Sequence, residues 1–405
     1  MSYQPAAQTL KKYADVLVNF ALGGGFGVKK GEVVYLSVSE SAKPLYVELR
    51  RAIWRVGAHL IADYRPSNDW RFNLDKDFYL YAGEQQLKFF PQKYLRGLIN
   101  QIDHKIYISS QTNKQALRGV DPQKIMARMA AFKPYREWSD QKENRGELSW
   151  VIALYPTTAM AKEAGLSLEK YWQQVVRACF LDKKDTIGQW RAVYRRLRLY
   201  RDKLNKLPIS KLHVTGPAVD LWVGLGAKRR WVGCSGRNIP SFELFVSPDW
   251  RQTLGWAGFN QPLYAYGHKV TGIELEFKQG RVVRAKAQKN QKVLDALIAT
   301  KNADKIGEFS LTDKRFSRIT RFMAEILYDE NMGGPAGNFH LALGAAYHDS
   351  YRGKPASLRK RDWQKLGFND SAVHADLIST TPRTVTACLK NGRQRVIYHN
   401  GEFVI

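Results

Sequence analysis

Four short apolar runs, EVVYLSV (32–38), HLIADYRP (59–66), HKIYISS (104–110) and SWVIALYP (149–156), alternate with segments of helical period through the first half of the chain. Runs of this length and β-branched content read as buried strands. A strand–helix–strand rhythm permits few folds other than a mainly parallel sheet with helices on its faces. After residue 156 two helical segments follow. In the second, GQWRAVYRRLRLYRDKLNKL, Trp190, Val193, Leu197, Tyr200 and Leu204 share one face, while Arg191, Arg195, Arg198 and Arg201 lie mostly on the other. Pro208 ends that pattern.

Beyond this point the character changes to strands and turns. GIELEFKQGRVVRAKA (272–287) reads as a hairpin, with Ile273, Leu275 and Phe277 alternating with polar residues and Gln279–Gly280 at the turn. A chain of 405 residues exceeds the usual domain size of about 100–200 residues. The expected architecture is therefore an N-terminal α/β domain with its linking helices (1–207) and a β-rich α+β domain (208–405). The glycine cluster GGGFGVKKG (23–31) follows a helical segment rather than a strand and lacks a GK[ST] ending, so it reads as a helix-to-strand connection and not a phosphate loop.

The titratable residues on apolar backgrounds concentrate in the second half. Glu243 lies in NIPSFELFVSPDW, Glu308 in IGEFSL and Glu330 at the end of the helix-like RFMAEILYDE; His340 follows a glycine-rich loop, and His374 and Asp376 stand two apart in VHADLI. On a strand, that last spacing projects both side chains from one face. Each residue alone also has an ordinary structural reading. Together they would form a buried acidic cluster that requires cations, because unpaired buried charge costs several kcal/mol or more. Imidazole with carboxylate suits zinc, cobalt or manganese, and several carboxylates around two histidines fit a two-metal site better than one closed tetrahedral site.

NIPSFELFVSPDW, IGEFSL, YDENMGGPAGNFHLALGAAY and SAVHADLI, in this order, resemble the successive signatures of the thermophilic-type M29 metalloaminopeptidases. The resemblance extends to KKYADVLVNFALGGGFGVKKGEVVYLSV and KLHVTGPAVDLWVGLG, and so covers most of the chain. It implies a dimeric exopeptidase with two divalent metal ions (zinc, cobalt, manganese or magnesium) in the C-terminal domain. The implied ligands are Glu243, Glu308, Glu330, His340, His374 and Asp376. Glu308 also becomes the expected proton-handling group, and Tyr347 the expected donor to the oxyanion. The expected substrates are peptides with a free N-terminus. Phe242 stands where relatives commonly carry glycine, the loop from Glu330 to His340 is longer than in the shorter members, and 377–380 lacks the glycine that often follows the HxD motif. Such changes next to ligands bear on pocket width and metal affinity.

Lys and Arg outnumber Asp and Glu by 64 to 37, a formal charge of +27. One reading is attraction to nucleic acid, and a basic nucleic-acid-associated protein on an M29-like scaffold is the alternative function; acidic peptide substrates are another reading, and a solvated basic surface is the plainest. The ligand set favours the enzyme. Cys179, Cys234 and Cys388 are odd in number and far apart, which points to a reducing compartment. With no leader pattern and no long apolar stretch, a soluble cytoplasmic protein is expected.

Overall fold

Each of the four apolar runs of the first half is a strand in the computed structural model, which describes residues 3–69 and 71–405. They span Val33–Ser39, His59–Arg65, His104–Ser109 and Ser149–Leu154. All pair in parallel, with the Val33 strand between those of His59 and His104 and the Ser149 strand beyond. The fifth strand of this sheet, Asn238–Ile239, comes from the second half of the chain and pairs in parallel with Ser149–Leu154. The helical segment before the glycine cluster runs as α-helix over Ala7–Val16 and as a π-turn over Leu17–Ala21. The glycine cluster then connects that turn to the first strand.

The arginine-bearing helix is Thr186–Lys206. Trp190, Leu197 and Leu204 are buried on it, with Tyr194, which the spacing argument left out, while Arg191, Arg195 and Arg198 face solvent. None of the helices among the described residues is long and apolar enough to cross a membrane.

Among the described residues, antiparallel sheets of eight, four and two strands build the remainder. The expected hairpin forms an edge of the largest, Ile273–Lys278 against Arg281–Lys286. Its turn residues Gln279 and Gly280 both have positive φ, 49° and 78°, the left-handed pair whose twist matches antiparallel strands.

The four-stranded sheet positions the candidate site. Its order is His374–Ser379, Asn338–Gly344, Ile306–Thr312, Glu243–Val246. The two central strands are buried throughout, and alternation divides their side chains by chemistry. Phe309, Leu311, Phe339 and Leu341 are buried apolar residues, with Phe339 against Phe259 of the larger sheet and Phe309 against Trp231. Glu308, Ser310 and His340 occupy the alternate positions. Buried strands with a polar alternate row are costly unless that row is partnered, so the alternation itself marks the sheet as more than structural.

Candidate metal centre

Register brings the acids and imidazoles of the four strands together. Glu308 pairs with Ala342, and Ala342 with Asp376, so a methyl group lies between two carboxylates and leaves room above it. One row further along, Ser310 pairs with His340 on one side and Phe245 on the other. Glu243 enters at the end of its strand opposite Thr312, and His374 opposite Gly344.

Glu330 arrives from outside the sheet. The helix before it is only Ile326–Asp329, shorter than the sequence pattern implied. The Asp329 carboxylate accepts from the Met323 and Glu325 amides, and Ala324 has φ of +52°, so the preceding residues form a bend in place of helical turns. The chain then returns to the sheet through Gly337, where φ is +63° and a Cβ would lie 2.1 Å from the Tyr398 hydroxyl. No other residue type fits that passage.

The six side chains converge. Three overlapping triads have ligand atoms within 4.8 Å of one another: Glu243, Glu308, His340; Glu308, His374, Asp376; and Glu330, His340, Asp376. His340 Nε2 lies 3.3 Å from Glu243 and 3.4 Å from Glu308 Oε1. His374 Nε2 lies 3.5 Å from Glu308 Oε2 and 3.4 Å from Asp376. Glu308 thus turns one oxygen toward each imidazole.

Surrounding groups orient this set. Nδ1 of His374 is 2.8 Å from the Ala345 carbonyl, an acceptor, so it carries a proton, and in the neutral imidazole the lone pair is on Nε2, the nitrogen that faces the acids. Ser310 donates to Glu243 at 2.8 Å, and the amides of Asn238 and Asn331 donate to Glu330 at 3.1 and 3.3 Å. Gly344 governs entry to the His374 strand, since φ is +104° and a Cβ would sit 2.0 Å from the Val373 carbonyl oxygen. Gly344→Ala is expected to destabilise the fold by about 2–6 kcal/mol, combining roughly 1–3 of backbone strain with roughly 1–3 of overpacking. Urea denaturation checks this; an unchanged midpoint would mean that the strand entry yields freely.

The electrostatics follow from burial and repulsion. Burial pushes the Glu243 carboxyl up to about 7, with Glu308 and Asp376 adding to the rise and His340 opposing it. Burial, then the charges of Glu243, Asp376 and Glu308, holds Glu330 well above the carboxylate range. For both histidines burial opposes the charge, yet the neighbouring carboxylates prevail and raise His340 and His374 to about 9. Asp376 moves down: burial resists, and the imidazoles of His374 and His340 outweigh it.

A divalent cation fits this donor set. The cavity of about 50 Å³ among these residues has Arg237 as its one basic side chain other than histidine among the described residues, and Arg237 is already bound to Glu143 and Asp349. Beyond the two imidazoles, the cavity wall therefore offers the cluster's carboxylates no free protein cation. His374 and Asp376 also line a cavity of about 950 Å³ that reaches Ser39, Arg65 and Ser110 at the carboxyl ends of the parallel strands. That is where open parallel sheets bind ligands.

Tyr347 lies in the wall of the smaller cavity, its ring 4.9 Å from that of His374 and 5.6 Å from that of Phe245. Phe242 does not narrow the pocket. It is fully buried on the other side of its strand, stacked on Trp190 at 5.4 Å, and is absent from the cavity wall. Arg237, Asn238, Ser310 and Asn331 were not singled out from sequence, although Arg237 directly precedes NIPSFELFVSPDW and the other three lie inside the quoted motifs.

A family model described as thermophilic metalloprotease (M29) matches residues 6–403. The chain belongs to this family. Among its relatives, aminopeptidase PepS of Streptococcus thermophilus is 28% identical, with 98% of each chain covered, and aminopeptidase T of Thermus thermophilus is 26% identical, covering 98% of this chain and 99% of the relative. The solved structure of wild-type AmpT from Thermus thermophilus superposes with a TM-score of 0.82 at 23% identity, over 98% of this chain and 99% of that one. The two share a fold, which in this chain is a parallel sheet joined to antiparallel sheets.

Proposed function

We propose that this M29 metalloprotease is an aminopeptidase that hydrolyses the first peptide bond of peptides with a free N-terminus, using two divalent cations. The overlap of the triads carries the reading: Glu308, His340 and Asp376 each belong to two of them, and the two oxygens of Glu308 face different imidazoles. A single closed site needs no such sharing. Glu243, Glu308, Glu330, His340, His374 and Asp376 would hold the ions, which supply Lewis-acid polarisation of the carbonyl and a lowered pKa for water.

The protein's own groups do the rest. The larger cavity admits the peptide, and its chain end meets the acidic cluster, whose carboxylates attract an ammonium group and disfavour an internal peptide segment. Glu308 takes a proton from the attacking water on a carboxylate oxygen and returns it to the leaving amine nitrogen. Tyr347 donates its phenolic proton in a hydrogen bond to the carbonyl oxygen as negative charge grows there.

Matched peptides with free and acetylated N-termini test the proposal. The metal-loaded protein is expected to release the first amino acid from the free peptide alone, to lose activity with a chelator, and to regain it with zinc, cobalt, manganese or magnesium. Equal cleavage of the acetylated peptide would replace the exopeptidase reading with an endopeptidase one. Absence of turnover across a broad panel of first residues would remove the peptidase reading.

A further inference from the structure

We infer that Arg237 is a positioning residue that holds the Tyr347 phenol toward the reacting carbonyl, an inference that rests on the role proposed above for Tyr347. Its backbone is pinned where the two halves of the chain share a sheet: the Ile152 amide donates to the Arg237 carbonyl at 2.7 Å, next to the pairing of Asn238 with Ile152. Its side chain is 15% exposed.

Two carboxylates hold the guanidinium. Glu143 accepts from Nε at 2.9 Å and lies 2.8 Å from Nη2, while Asp349 accepts from Nη1 at 2.5 Å. Glu143 is itself fixed by the Trp150 indole at 3.0 Å. One carboxylate would balance the charge. The second belongs to the turn His348–Ser350 that directly follows Tyr347.

That turn is tied at several points. The Tyr347 amide donates to the Ser247 hydroxyl at 2.8 Å, the Ser247 amide to the Ser350 hydroxyl at 2.9 Å, and Asn144 meets His348 at 3.1 Å. The guanidinium carbon then lies 5.9 Å from the centre of the Tyr347 ring. With His374 and Phe245 also against that ring, Arg237 completes a box that leaves the phenol little freedom. Both Arg237 and Tyr347 line the small cavity of the acidic cluster.

A double-mutant cycle with Tyr347→Phe tests this on the full-length, metal-loaded protein. Arg237→Met is expected to lower kcat by about 10–100-fold, the usual loss when a supporting partner of a site is removed, with KM and bound metal unchanged. Arg237→Lys restores part of the loss. In the Tyr347→Phe background, Arg237→Met is expected to cost less than a further twofold. An equal loss in both backgrounds, or a loss that follows metal content, overturns the inference. Wild-type kcat in Tyr347→Phe alone overturns it by another route, through the failure of the role assigned to Tyr347. Asp349→Asn, which keeps the shape of the turn, repeats the cycle should Arg237→Met fold poorly, with the same outcomes deciding.

Discussion

Glu308→Gln is expected to lower kcat on an unblocked peptide by about 10²–10⁴-fold, the range for loss of a positioned acid/base group, while leaving the fold intact. The side chain is 5% exposed and turns one oxygen toward His340 and the other toward His374. An amide nitrogen neither ligates a cation nor accepts a proton, so one side of the pair is lost whichever way the amide settles. The same change removes a negative charge from a cluster in which burial and mutual repulsion push Glu243 up to about 7 and Glu330 well above its range. Against that relief, Glu308 is the counter-charge of two imidazoles raised to about 9, and a buried pair that loses one partner is destabilised, so the metal-free variant should be less stable than the metal-free parent. Steady-state kinetics, metal analysis and thermal unfolding on one preparation separate these effects. A variant retaining more than a tenth of the activity with full metal would end Glu308's dual role.

Parts of this arrangement were legible in the sequence because they obey short periods. The parallel strands are buried runs between helical segments, and the spacing of His374 and Asp376 gives one face of a strand directly. The hairpin at Gln279–Gly280 carries its own turn chemistry. Other parts depend on tertiary contacts. The fifth strand of the parallel sheet is two residues long, Asn238–Ile239, too short to show any alternation. The bend before Glu330 exists because the Asp329 carboxylate captures two amides; the apolar spacing in that segment is helical all the same. Phe242 shows the same limit: its burial against Trp190 depends on which side of the strand meets the long helix, and sequence order alone does not say.

The first half of the chain also does more than cover a sheet. Lys114 bonds Glu325 at 2.9 Å, five positions before Glu330, and Arg136 donates to the carbonyls of Ser371 and Ala372, just before His374. Glu143 holds Arg237 beside Tyr347. Each contact ends on a segment that delivers a group to the acidic cluster. Groups that must be held to fractions of an ångström are best supported from rigid elements, and these contacts extend the parallel sheet's rigidity to the segments lying outside the four-stranded sheet.

Metal affinity should rise steeply with pH, by about 100-fold per unit between pH 6 and 8 for the loaded site, because binding must displace protons. In that interval the metal-free cluster holds protons on His340 and His374, raised to about 9, on Glu330, raised well above its usual range, and in part on Glu243, raised to about 7. The cation requires neutral imidazoles and ionised carboxylates. The sign follows: the metal-free state binds more protons, so acid favours it and base favours the loaded state. At least two protons released per loaded site correspond to a slope of two or more in log K against pH. Calorimetric titration with zinc or manganese in buffers of different ionisation enthalpy counts those protons directly, and Glu330→Gln should reduce the count by removing one protonated carboxyl. A release below one proton at pH 7 would mean that the acids are already ionised and offset by groups outside the cluster, and the requirement for paired cations would lose its physical basis.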